Sequence, residues 1–134
     1  MATAHPPRPA PPRRPKYVDL NLAHLPPPGL VSIFHRITGL ALFFPIVPAL
    51  IFLLGATLGS EDGYRYWREF FAQPAVKFVM LGVVWAYAHH FFAGIRYLFL
   101  DVHVGIAKQP ARTSAYAVLV AGLVTTLLVG WCYW

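Results

Sequence analysis

The sequence contains little charge and almost no cysteine. Only 12% of its 134 residues are charged, five of them are Asp or Glu, and 57% are hydrophobic. This composition is too apolar and too poor in charge for an ordinary soluble domain of this length. The single cysteine, Cys132, excludes a disulfide within the chain and a metal site built from cysteines.

The first 30 residues lack the apolar core of a cleavable signal peptide. They hold most of the 13 prolines, in the stretches HPPRPAPPRRP and LPPPG. This proline density excludes the amphipathic helix of an organellar transit peptide, because proline inside a helix removes a hydrogen bond and clashes with the preceding turn. We therefore expect residues 1–30 to form an extended, basic, solvated arm.

Three long stretches contain no Asp, Glu, Lys or Arg, namely Ile37–Leu58, Phe78–Ile95 and Thr113–Trp134. At about 1.5 Å of rise per helical residue, each one spans or nearly spans a hydrocarbon core of roughly 30 Å. The sequence therefore predicts an all-α membrane protein. Its three-helix anchor would occupy residues 31–134, with transmembrane helices over about 32–58, 76–100 and 113–134.

Lysine and arginine are distributed unevenly between the segments outside these helices. They outnumber acids in the arm and in the second loop, whereas the first loop has three cations and three acids. The positive-inside rule therefore predicts a cytoplasmic N-terminus and an external C-terminus. The same bias explains the net charge of +6, so no nucleic-acid partner is expected.

Two histidines, His89 and His90, lie about 12 residues beyond Lys77, on the order of 18 Å into the membrane. Ionisable residues at such depth are rare and usually functional. His90 shares a helix face with Gly94 and Tyr97, whereas His89 points about 100° away. A neutral imidazole beside a glycine suits haem, because its nitrogen binds iron and the missing side chain leaves room for the macrocycle. The alternative is a histidine hydrogen-bonded to a neighbouring helix, without a cofactor.

Polar residues also stand at the mouth of the first helix. Ser32 and Arg36 are four residues apart and share a face, with His35 on the adjoining edge. In one interpretation, Ser32 caps the helix and Arg36 extends to lipid headgroups. In the other, these residues face an enclosed ligand, and His35, Arg36 and Arg96 are the basic residues available to haem propionates.

Two motifs make the sequence recognisable. SIFHRITG (Ser32–Gly39) is followed about 50 residues later by HFFAGIRYLFLD (His90–Asp101). Together, at this separation and with three predicted spans, they resemble the short bacterial form of the cytochrome b membrane-anchor subunit of succinate dehydrogenase. The resemblance runs from about Arg14 to the C-terminus and includes RPKYVDLNL ahead of the first helix.

The resemblance implies a multi-pass protein of the bacterial inner membrane, assembled with a flavoprotein, an iron–sulfur protein and a second small membrane anchor. Haem b would be shared with the second anchor, and ubiquinone would be the substrate reduced at the membrane boundary. By that resemblance, Ser32 and Arg36 bind quinone, and His90 is an axial ligand of the haem iron. His35 and Arg36 would lie near the propionates, whereas Tyr97 stands where some members have a further histidine. Succinate would be oxidised outside this chain, which would not be active alone.

Two other functions fit the same sequence. A related quinol:fumarate reductase anchor would run the reaction in the opposite direction, and that direction depends on redox potentials held in other subunits. A structural anchor without haem would need only the three apolar helices. A reduced-minus-oxidised spectrum of the purified complex separates the haem-free anchor from the other two.

Overall fold

A computed structural model describes residues 25–134, and within this range the chain is helical and contains no strand. The helical segments are α1 (Pro27–Ala41), a π-helical segment (Leu42–Ile46), α2 (Val47–Leu58), α3 (Glu61–Ala72), α4 (Pro74–Asp101) and α5 (Lys108–Tyr133). Three helices are long and apolar enough to cross a membrane: the continuous helix Pro27–Leu58, then α4 and α5. The predicted all-α class and the three spans are therefore confirmed.

The first helix begins inside the region that the sequence assigned to the arm. Residues 1–24 lie outside the described residues, but α1 already starts at Pro27. Prolines 27 and 28 occupy its first two positions. Proline is well tolerated there, because the first backbone N–H groups of a helix have no partner within the helix and the ring holds φ near the helical value.

The middle of the first span is a π-helical segment, Leu42–Ile46, which contains Pro45. Proline has no N–H to donate, and its ring crowds the carbonyl one turn earlier. A wider π turn relieves that crowding while the helix continues into α2. The disturbance at Pro45 thus takes the form of a local widening within a continuous helix.

An additional helix, α3, lies in the first loop, which the sequence analysis treated only as a connection. The Ser60 hydroxyl accepts a hydrogen bond from the Gly63 N–H at 3.0 Å, which caps the helix, and acidic residues occupy the first turn. Trp67 packs its ring edge-on against Phe52 of α2, with 6.0 Å between centroids. This contact attaches α3 to α2, the second half of the first span.

The bundle is held together by small side chains, most closely between α4 and α5. Val31, Ala93, Ala115 and Val118 form its buried core. A Cβ added to Gly122 would lie 3.4 Å from the Cα of His89, so the two helices approach almost to backbone contact. Such small-residue interfaces are typical of membrane helices, which gain packing contacts rather than hydrophobic burial when they associate.

The outer surface of the described helices is strongly apolar. Phe43, Phe44 and Trp131 are 67%, 65% and 87% exposed, and many large aliphatic side chains are exposed as well. A soluble protein rarely exposes so extensive an apolar surface to water. These faces are suited to lipid or to further membrane helices.

The orientation of the bundle gives a testable prediction. A reporter fused within the arm or inserted after Gly105, between α4 and α5, should read cytoplasmic. A reporter fused after Trp134 or inserted after Gly59 should read external. Lysine and arginine outnumber acids in the arm and in the loop between α4 and α5, and such segments stay on the cytoplasmic side. Reporters on the arm and on the C-terminus that read the same side would contradict a three-span topology.

Candidate functional site

His90 projects from α4 towards α1, and both of its hydrogen bonds to described residues use the same ring nitrogen. Its Nδ1 lies 3.1 Å from the carbonyl oxygen of His35 and 3.4 Å from the Thr38 hydroxyl. The Thr38 hydroxyl lies 2.7 Å from the Phe34 carbonyl, to which it donates its proton, so its lone pair is free to face His90. Two acceptors at Nδ1 favour the tautomer that carries the proton there. The Nε2 lone pair of a neutral His90 is then available to a ligand.

A glycine makes this position of His90 sterically feasible. A Cβ built on Gly39 would lie 2.9 Å from Cε1 and 3.4 Å from Nδ1 of the His90 ring. The first distance is shorter than real Cβ contacts allow, so any larger residue would displace the imidazole. Gly39 therefore sets how closely α1 and α4 approach at the site.

The His90 ring also stacks on His35, with centroids 4.2 Å apart and ring planes within 10°. A Cβ added to Gly94 would meet His35 Nε2 at 3.8 Å, an ordinary contact distance. The ring of Tyr97 lies 5.0 Å from that of His35, and its buried hydroxyl has no hydrogen-bond partner among the described residues. The face predicted to hold His90, Gly94 and Tyr97 together thus meets His35 across the α1–α4 interface.

Beyond this cluster, His90 lines an open apolar groove of about 500 Å³. One wall belongs to the π-helical segment and the start of α2, and the other to the middle of α4. The groove is lined by Leu42, Ile46, Val47, Leu50, Val83, Val84, Tyr87, His90 and Phe91. This lining suits an apolar ligand, with the His90 imidazole as the one titratable group of the wall other than Tyr87.

His89 occupies a very different environment. It is fully buried, its ring stacks on Trp85 at 5.4 Å, and it meets the edge of Phe34 at 5.8 Å. The backbone of α5 at Gly122 closes the remaining side, and neither ring nitrogen meets the criteria for a hydrogen bond to any described residue. This packing leaves no room for a ligand, so of the two neighbouring histidines only His90 faces open space.

Arg96 corrects one expectation from the sequence. It was grouped with His35 and Arg36 as a cation for haem propionates, but it is only 7% exposed and points towards α5. Its Nε donates to the Ser114 hydroxyl at 3.0 Å, and a terminal nitrogen donates to the Ala111 carbonyl at 3.2 Å. Because it lies seven residues from His89, helical periodicity places it on the α5 side of α4.

Ser32 and Arg36 lie one turn apart on α1, beside the cluster. Ser32 is half-buried and Arg36 is exposed. Among the described residues, neither side chain has a hydrogen-bond partner. The structure thus brings His35 and His90 into direct contact, whereas Ser32 and Arg36 lie on the same helix and make no side-chain hydrogen bond to another described residue.

Two residues of the cluster, Thr38 and Gly39, were not singled out from the sequence as site residues. Both fall within the motif SIFHRITG, three and four residues after His35. That spacing places them one turn along the helix on the same side as His35, which was the available signal. Their roles depend on the neighbouring helix, which the pattern of α1 alone does not identify.

The described residues contain no group of three or more His, Cys, Asp or Glu side chains able to hold a metal ion together. A metal held by His90 would therefore need its remaining ligands from outside the described residues. In particular, a macrocycle that supplies four nitrogens needs only one axial ligand from each of two sides.

Comparisons with known proteins identify the family. The profile of the family described as "Succinate dehydrogenase/Fumarate reductase transmembrane subunit" matches residues 10–129. The chain is 33% identical over 123 residues to the succinate dehydrogenase cytochrome b556 subunit of Coxiella burnetii, covering 91% of this chain and 98% of the relative.

Two further cytochrome b556 subunits of succinate dehydrogenase are similar. The protein of Paracoccus denitrificans is 31% identical over 116 residues, covering 86% of this chain and 88% of its own length. That of Rickettsia felis is 28% identical over 117 residues, covering 87% and 90%. Together with the three spanning helices, the matches indicate a multi-pass subunit of the bacterial inner membrane. The chain therefore belongs to the succinate dehydrogenase/fumarate reductase transmembrane subunit family, as a cytochrome b anchor.

Proposed function

We infer that this subunit, together with a second membrane anchor, binds haem b through His90 and helps to form the site at which ubiquinone is reduced by electrons from succinate. The observation that carries the proposal is the state of the His90 ring. Its Nδ1 is engaged by the His35 carbonyl, while the ring borders an apolar groove. A metal-binding histidine is typically oriented in this way, with one ring nitrogen held by a carbonyl and the other directed at the metal.

The residues of the site fit haem in three respects. The groove is apolar, His90 lines it, and the buried Tyr97 hydroxyl lacks a partner among the described residues, which a propionate oxygen would supply. His35 and Arg36 would lie near the propionates. When bound between the two anchors, haem b provides a one-electron carrier close to the quinone.

The same groove supports an assignment of the partner surface. His90 would supply one axial ligand, so the second histidine must approach from outside the described chain. Tyr87 and Phe91 of α4 both line the groove and are exposed, so they supply an aromatic surface for this purpose. We assign this surface to the second anchor, which would close the groove over the macrocycle.

Ser32 and Arg36 would act on the quinone itself. A neutral quinone accepts a hydrogen bond from a hydroxyl such as that of Ser32. As electrons arrive, negative charge develops on a quinone oxygen, and the guanidinium of Arg36 would stabilise that charge in a region of low dielectric constant. The flavoprotein and iron–sulfur partners would oxidise succinate and deliver the electrons, and this chain would hold the acceptor.

The spectrum of the whole purified complex tests haem binding. A reduced-minus-oxidised difference spectrum should show a b-type band, and a complex that contains all subunits without such a band would favour a haem-free structural anchor. The family includes anchors of fumarate reductases as well. Comparing expression of the complex in aerobic and anaerobic growth separates the two physiological directions.

A substitution at Gly39 tests the steric basis of the site. Gly39→Ala would place a methyl group 2.9 Å from the His90 ring, so we expect a reduced haem content or a shifted b-type band. Overpacking of this kind typically costs about 1–3 kcal/mol. Absorbance per assembled complex and its thermal stability are the measurements.

The matched control is Gly55→Ala in α2. A Cβ there meets no atom within 4 Å, so it gains the same helix propensity without a clash. The control should keep the wild-type spectrum. Equal spectra in both variants would show that contact between α1 and His90 does not position the ring.

A further inference from the structure

A second groove, of about 480 Å³, lies where the first turns of α1 and α5 meet, away from His90. The start of α1 forms one wall and the first three turns of α5 form the other. It is lined by Leu25, Pro26, Pro27, Pro28, Leu30, Lys108, Arg112, Tyr116 and Leu119. We call it the Lys108–Arg112 groove, and it shares no residue with the proposed haem and quinone sites.

The side chains of this groove follow a polarity gradient along α5. Lys108, Arg112 and Tyr116 are spaced by four residues and so lie on one face, each about one turn deeper than the last. All three are exposed, and Leu119 continues the face towards the bundle centre. The order of cation, amphipathic ring and aliphatic side chain matches a phospholipid from its phosphate to its acyl chains.

We propose that the Lys108–Arg112 groove binds one anionic glycerophospholipid, with the phosphate held by Lys108 and Arg112 and the upper acyl chains lying on Leu30 and Leu119. An ammonium and a guanidinium together supply both point-charge and bidentate recognition of phosphate. None of the described residues that line the groove is acidic, so this part of the wall does not repel an anionic headgroup.

The charges and the apolar wall also distinguish between occupants. Arg8, Arg13, Arg14 and Lys16 carry the same charge as Lys108 and Arg112, so the basic stretch 8–16 is poorly suited to this groove. A free phosphate would leave the leucine and proline wall uncovered. A protein partner would need an acidic surface combined with an apolar one at the membrane boundary, whereas an anionic lipid has both properties intrinsically.

The test uses the complete complex, purified in detergent and stripped of lipid. Native mass spectrometry would count lipids bound during titration with phosphatidylglycerol or phosphatidylcholine. The wild type should bind one phosphatidylglycerol in preference to phosphatidylcholine. Each cation near an anionic lipid contributes about fivefold in affinity, so Lys108→Gln with Arg112→Gln should weaken phosphatidylglycerol binding by about 25-fold.

The matched control removes two exposed cations at the other end of the bundle, with Arg65→Gln and Arg68→Gln in α3, and should keep wild-type binding. Lys108→Arg with Arg112→Lys preserves the charge and should retain the lipid, which guards against a loss caused by misfolding. Equal binding of both lipids, undiminished binding in the double glutamine variant, or displacement of the lipid by millimolar inorganic phosphate would overturn the proposal. If the double glutamine variant lost the soluble subunits but still bound the lipid, the groove would be assigned to a protein partner instead.

Discussion

Replacing His90 by alanine is expected to abolish the b-type absorbance of the assembled complex, or to convert it to the spectrum of an altered ligation state. The variant removes the only described histidine that lines the apolar groove, so the haem would lose the ligand that this chain would supply. Haem absorbance per complex, normalised to the flavin content, is the measurement. The effect should be close to complete, because no other described histidine faces this groove.

His89 provides the control for that experiment. His89→Ala should retain the band, although it leaves a cavity between Trp85, Phe34 and the α5 backbone. His89→Leu is the sharper variant, because it keeps much of the volume and removes two buried nitrogens that have no partner. Replacing an unsatisfied buried polar side chain by an apolar one is often neutral or stabilising. Loss of the band in His89→Leu together with its survival in His90→Ala would show that the ligand is His89.

Quinone reduction is expected to fail in Arg36→Leu and to weaken in Ser32→Ala. Losing a charge-assisted hydrogen bond costs about 1.5–3 kcal/mol, and losing one to a neutral headgroup about 0.5–1.5 kcal/mol. These values correspond to roughly 10- to 150-fold for Arg36 and roughly 2- to 12-fold for Ser32 in succinate:quinone reductase activity. Succinate oxidation with a soluble artificial acceptor should survive in both variants, because the flavin and the clusters would lie in other subunits.

Two controls make the quinone experiment specific. Haem content must be measured in the same preparations, since Arg36 would also lie near the propionates. Arg68→Leu, an exposed cation at the other end of the bundle, removes the same charge far from α1 and should leave quinone reduction unchanged. Wild-type quinone reduction per assembled complex in both Arg36→Leu and Ser32→Ala would mean that Arg36 only extends to lipid headgroups and that the quinone site lies elsewhere.

Much of the architecture was predictable because the bilayer restricts the choices available to the backbone. An uncharged stretch of about 20 residues must satisfy its backbone hydrogen bonds internally, and a helix is how a single segment does so. The three spans therefore follow from three charge-free runs. The α3 helix was missed, although its sequence holds a helix-start signal, Ser60 followed by Glu61 and Asp62. The aromatic face of α3 packs on α2, and a contact between two segments cannot be read from the sequence of either one.

The faces of each helix were also readable, but their neighbours were not. Periodicity alone separated His90, Gly94 and Tyr97 from His89 and Arg96 on α4. Periodicity did not reveal that His89 and Arg96 face α5. This is why Arg96 was grouped with the propionate cations although it is bonded to Ser114 and Ala111.

By itself, the sequence determined the number of spans, the depth of the two histidines and the helix face that each one occupies. Only the tertiary structure decided that His89 is enclosed, that Thr38 and the His35 carbonyl hold Nδ1 of His90, and that Gly39 admits its ring. The physical reason is that helical periodicity is a property of one segment. The contact that orients a side chain belongs to two segments, 55 residues apart for His35 and His90, and depends on how closely the helices pack.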